Sequence, residues 1–185
     1  MTQTAPAATL PANNEGLVSI RIGKQAFGVP VLRVQDVIAQ TAINRVPLGP
    51  PEVAGSLNLR GRIVTAVDMR RRLNMERRRP EDSFMSVIVE RNGELYALLV
   101  DDVGDVLWLP QSGQEPPPVT LSGGWQGVCS GLYRLEGELL LVLNIDEVLT
   151  LSPQSQPAVV AGPNAMSALR EPGSLEADLA ETLAL

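Results

Sequence analysis

The sequence predicts a mainly β body of short strands, arranged as small barrels or a sandwich. Three observations carry that expectation. Short apolar, often β-branched stretches are separated by Gly-Lys, Asn-Gly and Glu-Gly dipeptides suited to tight hairpins. Helical periodicity in the body is confined to single turns. Two ordered blocks also repeat. Residues 28–37 align with 97–106 at an offset of 69, both ending in Val-x-Asp-Val, and residues 64–69 align with 140–145 at an offset of 76. A duplicated β unit of about 70 residues fits this pattern. Each half is near the size at which a lone domain is marginal, so the halves are expected to share an interface and fold as a pair.

The elements follow in order. Residues 1–16 are rich in Ala, Thr, Pro and Asn, and read as a flexible tail. The folded body is placed at 17–151. Strands at 18–22 and 25–29 flank Gly23-Lys24. A strand is expected at 34–38, and Pro50-Pro51-Glu52-Val53-Ala54 reads as a single helical turn. A β-branched strand at 62–67 follows Gly61, and a helical turn follows Asp68. Strands at 86–90 and 94–100 flank Asn92-Gly93, one of the strongest hairpin dipeptides. A strand is expected at 103–109, and Pro116-Pro117-Pro118 fixes a polyproline loop. Strands at 133–135 and 139–144 flank Glu136-Gly137, and a second helical turn follows Asn144. Residues 152–173 are rich in Pro, Ala, Ser and Gly, and read as a linker. Ser174 is a helix N-cap signal, and Leu175, Leu179 and Leu183 then recur at i, i+4, i+8, so a short amphipathic helix is expected at 174–185.

Composition bounds the chemistry. The chain has 185 residues, 44% of them apolar, enough to bury a core. It has no histidine, which excludes a phosphorelay histidine, histidine-based triads and histidine-based metal sites. One cysteine, Cys129, excludes an internal disulfide and a Cys-x-x-Cys pair. The runs at 95–100 and 139–143 are far shorter than the roughly 20 residues that cross a bilayer, and the amino-terminal stretch lacks a signal pattern. A cytoplasmic protein is expected. Net charge is −6, yet eight arginines crowd residues 60–79 and give that window +6. An Arg-rich barrel that binds nucleic acid is therefore the alternative from a different class. Opposing it are the overall sign and the lack of aromatics in the run to stack bases.

Each candidate site also has a plainer role. Gly61 suits a positive-φ turn into a strand, Asn58 can brace that turn, and Arg60 offers a planar fork of donors to a partner's carboxylates or carbonyls. Equally, Arg60 can pair with a nearby acid and the motif merely shape a bend. Val34 and Asp36 place an apolar spot beside a carboxylate on one strand face, fitting either a partner helix or an edge charge that blocks aggregation. Asp101-Asp102 is discounted as a metal site because strand neighbours point to opposite faces. Gly127-Val128-Cys129-Ser130-Gly131 imitates a nucleophile elbow but lacks a histidine base. Gly123-Gly124 lacks the lysine of a phosphate loop. No cofactor and no metal is expected.

With these residues in place, the chain resembles the CheW family of chemotaxis coupling proteins from about residue 17 to 151. The resemblance runs through Phe27-Gly28-Val29, Val34-Gln35-Asp36-Val37, Gly55-Ser56-Leu57-Asn58-Leu59-Arg60-Gly61, Val67-Asp68-Met69, Leu99-Val100-Asp101, Asp105-Val106-Leu107 and Leu141-Val142-Leu143-Asn144-Ile145-Asp146. The Asn-Leu-Arg-Gly block is its most specific part. It implies two five-stranded SH3-like β-barrels side by side, and a non-catalytic adaptor. Such adaptors bridge the helical-hairpin tip of methyl-accepting chemoreceptors to the regulatory domain of the histidine kinase CheA, and join other CheW-like proteins in array rings at the membrane. It implies receptor contact at Val34, Asp36, Gly55, Asn58, Arg60 and Gly61. Val103 and Val106 are the candidates for the kinase surface. An adaptor of this fold in a non-chemotactic pathway is the alternative within the family. Asp36 stands where a longer Glu is common. The clusters at 70–72 and 77–79, and both tails, fall outside the family pattern, which leaves open a role in choosing among charged partners.

Overall fold

A computed structural model of the chain describes residues 13–47, 49–79, 81–121 and 124–151. The linker and helix expected at 152–185, and most of the expected tail, lie outside the described residues.

Ten strands and two short helices follow one another: β1 (Asn14–Ile22), β2 (Gln25–Pro30), β3 (Val34–Ile38), β4 (Val53–Leu59), β5 (Arg62–Asp68), α1 (Met69–Arg72), β6 (Met85–Arg91), β7 (Glu94–Val100), β8 (Asp102–Pro110), β9 (Cys129–Leu135), β10 (Glu138–Leu143) and α2 (Ile145–Val148). The turn dipeptides act as their chemistry requires. Asn92 and Gly93 both have positive φ, at 53° and 81°, and join β6 to β7. Asp68 caps α1 by accepting from the Arg70 N–H at 3.0 Å, and Asn144 caps α2 by accepting from the Asp146 N–H at 3.1 Å.

The strands form two five-stranded sheets, ordered β8-β1-β2-β10-β9 and β3-β6-β7-β5-β4. Advancing every strand of the second order by five, cyclically, gives the first. The aligned sequence blocks fall on strands that this shift relates. Each sheet therefore takes two strands from one half of the chain and three from the other. The exchange includes the parallel pairs β2–β10 and β5–β7. Neither half contains a complete sheet, so burial of either half requires both.

Three apolar cores result. Leu57, Val64, Ala66, Ile88, Ala97 and Leu99 fill the inside of one SH3-like unit. Leu17, Ala26, Tyr133, Leu140 and Val142 fill the other. Between them lies the largest cluster, which includes Ile20, Phe27, Val67, Leu98, Val100, Leu141 and Leu143. On β7 and β10 alternate residues enter a unit core and the shared core. Both faces are buried, which explains why these strands read as continuous apolar runs. Burying a side chain as large as Phe27 stabilises by about 1.5–3 kcal/mol. Trp125 tilts over Phe27 at 5.5 Å, and its indole N–H donates to the Leu73 carbonyl at 2.9 Å, tying the β8–β9 connection to the end of α1.

Two expectations change. β1 starts at Asn14, inside the stretch read as tail, because residues 14–16 pair with β8. Residues 50–54 are not a helical turn. A β-turn, closed by the Val53 N–H on the Pro50 carbonyl at 3.0 Å, feeds the unforeseen strand β4. The two five-stranded SH3-like units are as expected, with β3 and β4 the edges of one sheet and β8 and β9 the edges of the other. In one unit Asn44 of the β3–β4 connection bridges to Ser56 of β4, and in the other Glu115 of the β8–β9 connection bridges to Leu132 of β9.

Four of the eight arginines in the run, Arg70, Arg71, Arg72 and Arg78, are committed to the fold. Arg70 grips Asp101, with its closest contact at 2.8 Å, and that hydrogen bond raises its pKa. Arg72 donates to the Val148 and Glu147 carbonyls at 2.8 Å, closing the end of α2. Arg71 lies 3.6 Å from Asp68, and Arg78 lies 2.9 Å from Asp101. An array of guanidinium groups committed inward is a poor phosphate track.

Candidate functional site

β4 and β5 are joined by Arg60 and Gly61, with φ of 52° and 88°. Two positive φ angles mark a type I′ hairpin loop, which favours Asn-Gly. Gly61 is suited to it. Arg60 is a non-glycine residue in the left-handed region, and this strain supports a role beyond the turn. Asn58 braces the loop, its Oδ1 accepting from the Gly61 N–H at 2.7 Å.

Arg60 reaches across to β3, where its Nη2 lies 3.0 Å from Asp36 Oδ2. The pair thus links the two edges of the open sheet and partly closes the barrel. Arg60 thus has the internal acid partner of the plainer reading, and its guanidinium stays exposed. Its side chain is 84% exposed, so the pair contributes only about 0–1 kcal/mol.

Gly55 shapes the same hairpin. It sits at a bulge in β4, with φ of 149°, against the Asn44 backbone. A Cβ there would lie 2.2 Å from the Asn44 carbonyl oxygen. Gly55→Ala is therefore expected to destabilise by about 1–3 kcal/mol, read as a lower urea midpoint. An unchanged midpoint would contradict this packing.

Of the expected apolar contacts, Val34 is half-buried and packs on the shared core. A bulge separates it from Asp36 in the pairing with β6. The exposed apolar groups near this hairpin are Val37 on β3 and Ile63 on β5, the latter 82% exposed. Ile63 was missed, although alternation with buried Val64 and Ala66 already turns it outward. On the edge strand β8, Val103 packs on the shared core while Val106 is exposed. A bulge in the pairing with β1 separates these two as well. The exposed apolar surface of β8 is Val106 with Trp108, and Trp108 had not been singled out.

The Cys129 segment is structural. Cys129 opens β9 within the shared core, and burial pushes its thiol up to about 11. It is a protonated core residue at neutral pH, not a nucleophile. A thiol whose pKa is raised on folding adds stability below its unfolded value, about 8.5, that is lost as pH rises toward 11. Half-buried Tyr96 and buried Tyr133 shift the same way. The urea midpoint is expected to fall from pH 8 to pH 11, with a shallower slope in Cys129→Val; equal slopes would remove Cys129 from the cause.

Among the described residues no group of three or more His, Cys, Asp or Glu is placed to hold a metal ion. Among them, too, no helix is long and apolar enough to cross a membrane.

Residues 16–152 match the CheW-like domain. This chain belongs to the CheW-like family. The chemotaxis protein CheW of Rhizobium meliloti is 28% identical over 145 residues, covering 78% of this chain and 94% of that protein. The chemotaxis protein CheW of Thermotoga maritima is 30% identical over 134 residues, covering 72% and 86%. The crystal structure of scaffolding protein TtCheW from Thermoanaerobacter tengcongensis has the same fold, with a TM-score of 0.68 at 22% identity over 75% of this chain and 94% of that one. As a CheW-like protein, the chain is a non-catalytic scaffold of the chemotaxis class.

Proposed function

We propose that this CheW-like protein couples the cytoplasmic tip of methyl-accepting chemoreceptors to the regulatory domain of a CheA-type histidine kinase. The observation that carries the reading is the strained Arg60–Gly61 turn on a CheW-like fold, whose exposed guanidinium is held by a weak pair with Asp36. In this reading Arg60 takes carboxylates or carbonyls of the receptor hairpin. Asn58, Gly61 and Gly55 hold the turn, and Asp36 keeps Arg60 oriented until exchange. Val34 supports β3 from beneath. Val106, with Val103 behind it, marks the kinase-facing strand. A helix held by few anchors gives a reversible, micromolar-class contact. The protein acts in the cytoplasm, recruited to receptor arrays.

Reconstitution tests this. Receptor cytoplasmic fragments and the cognate kinase are mixed with and without the protein, and kinase autophosphorylation and co-sedimentation are followed. Receptor control that appears only with the protein supports coupling. Absence of binding to either partner would overturn it for this pathway.

A further inference from the structure

A cleft of about 370 Å³ on the β3–β6–β7–β5–β4 unit shares no lining residue with the Asp36–Arg60 pair. Its apolar lining includes Ile43, Phe84 and Leu99, which also pack in the core of that unit. Arginines 45, 71, 78 and 79 line it as well. Two acids, Asp68 and Asp82, share the cleft, but both are matched. Asp68 caps α1 and faces Arg71, while Asp82 accepts from the Arg79 N–H at 2.9 Å and faces Arg70 at 3.7 Å. Among the described residues, the side chains of Arg45 and Arg79 make no hydrogen bond or ion pair. The Arg78 side chain is only 9% exposed, lies 5.3 Å above the Phe84 ring, and is committed to Asp101 and to the Ser83 and Val100 carbonyls. Burial lowers its pKa, so added negative charge nearby is favourable. An apolar lining beside unmatched arginines fits a short segment that alternates leucine and carboxylate.

The chain carries such a segment. Residues 171–185 hold four acids and no base, with Glu176, Asp178 and Glu181 interleaved among Leu175, Leu179 and Leu183. Its tether leaves from Thr150, whose carbonyl accepts from Arg72 at 3.4 Å, one residue along α1 from the lining residue Arg71. A stretch from 151 to 174 spans at most roughly 75 Å when fully extended, so the cleft is within reach, and tethering raises the effective concentration of the segment so that weak contacts suffice. We propose that the acidic stretch 171–185 docks in this cleft of its own chain, leucines over Ile43 and Phe84 and carboxylates on Arg45 and Arg79. The docking does not depend on the coupling function.

The test uses the full chain with Ala180→Cys carrying a nitroxide. Cys129 is buried with a raised thiol pKa, so labelling is confined to position 180. At low salt, amide signals at residues 43–45, 79 and 84 should broaden selectively. Broadening should fade near 1 M salt, where the Debye length is about 3 Å. It should vanish in Arg45→Glu/Arg79→Glu, and return when Glu176→Lys/Asp178→Lys/Glu181→Lys is added. Broadening absent from the cleft, or unaffected by the arginine reversals, would overturn the docking. So would broadening that requires a mixture of labelled and isotope-enriched molecules, which would assign the contact to a second copy.

Discussion

Arg60→Glu is expected to weaken receptor binding by at least tenfold and to abolish receptor control of the kinase, while kinase binding and the fold persist. The fold should tolerate the change because Arg60 is 84% exposed and its pair with Asp36 is a surface pair worth about 0–1 kcal/mol. Binding should not, because removing one partner of an interfacial charge pair typically costs about 2–5 kcal/mol, and tenfold needs only about 1.4. A second variant separates recognition from folding. Arg60→Gly removes the guanidinium and also relieves the left-handed backbone at φ 52°, a strain of roughly 1–2 kcal/mol. It should raise thermal stability and still lose receptor binding. Titrating receptor fragments against both variants, with melting curves in parallel, checks the pair. Normal receptor binding by Arg60→Glu would dismiss the turn as the site and leave family membership untouched.

What the sequence disclosed follows from the range of each interaction. Local chemistry was legible: Gly23, Asn92 and Gly93 take the positive φ their turns need, and Asp68 and Asn144 cap the helices expected after them. β4 was not legible. Its Gly55, Ser56 and Asn58 carry little β propensity, and the strand is held by pairing with β5 and by the approach of Asn44. At the site, Gly61 showed its role through its residue type, but the positive φ of Arg60 ran against type. The partner of Arg60 lies 24 residues away on the opposite sheet edge, which no local pattern encodes. The repeat exposed equivalent strands and not their exchange between sheets, because a repeat reports similarity and not pairing. The arginine run was ambiguous for the same reason. Its acceptors at 101 and 147–150 are distant in sequence.

The largest stability effect should come from Asp101, which the sequence left as a discounted metal candidate. Its carboxylate is 18% exposed and receives Arg70 through Nε and Nη2 at 2.8–3.0 Å. Arg78 Nη2 lies 2.9 Å away, though not aligned for a hydrogen bond, and the Gly23 N–H donates at 2.6 Å. Gly23 belongs to the β1–β2 turn of one sheet. Arg70 and Arg78 belong to α1 and the α1–β6 connection of the other unit. One carboxylate therefore neutralises two largely buried guanidinium groups and pins the two units together at the end of β7. Asp101→Ala leaves Arg70 with only Asp82 at 3.7 Å and leaves Arg78 in a desolvated site that already lowers its pKa. Breaking a buried pair by removing one partner costs about 3–5 kcal/mol, a large fraction of the 5–15 kcal/mol that holds a typical domain folded. Asp101→Asn keeps the shape and an acceptor for Gly23 but not the charge, so its loss should fall between wild type and Asp101→Ala. Urea denaturation of the three proteins checks the order. If Asp101→Asn matched wild type, shape and hydrogen bonding rather than charge would hold the units together, and the arginines of α1 would owe their position to packing.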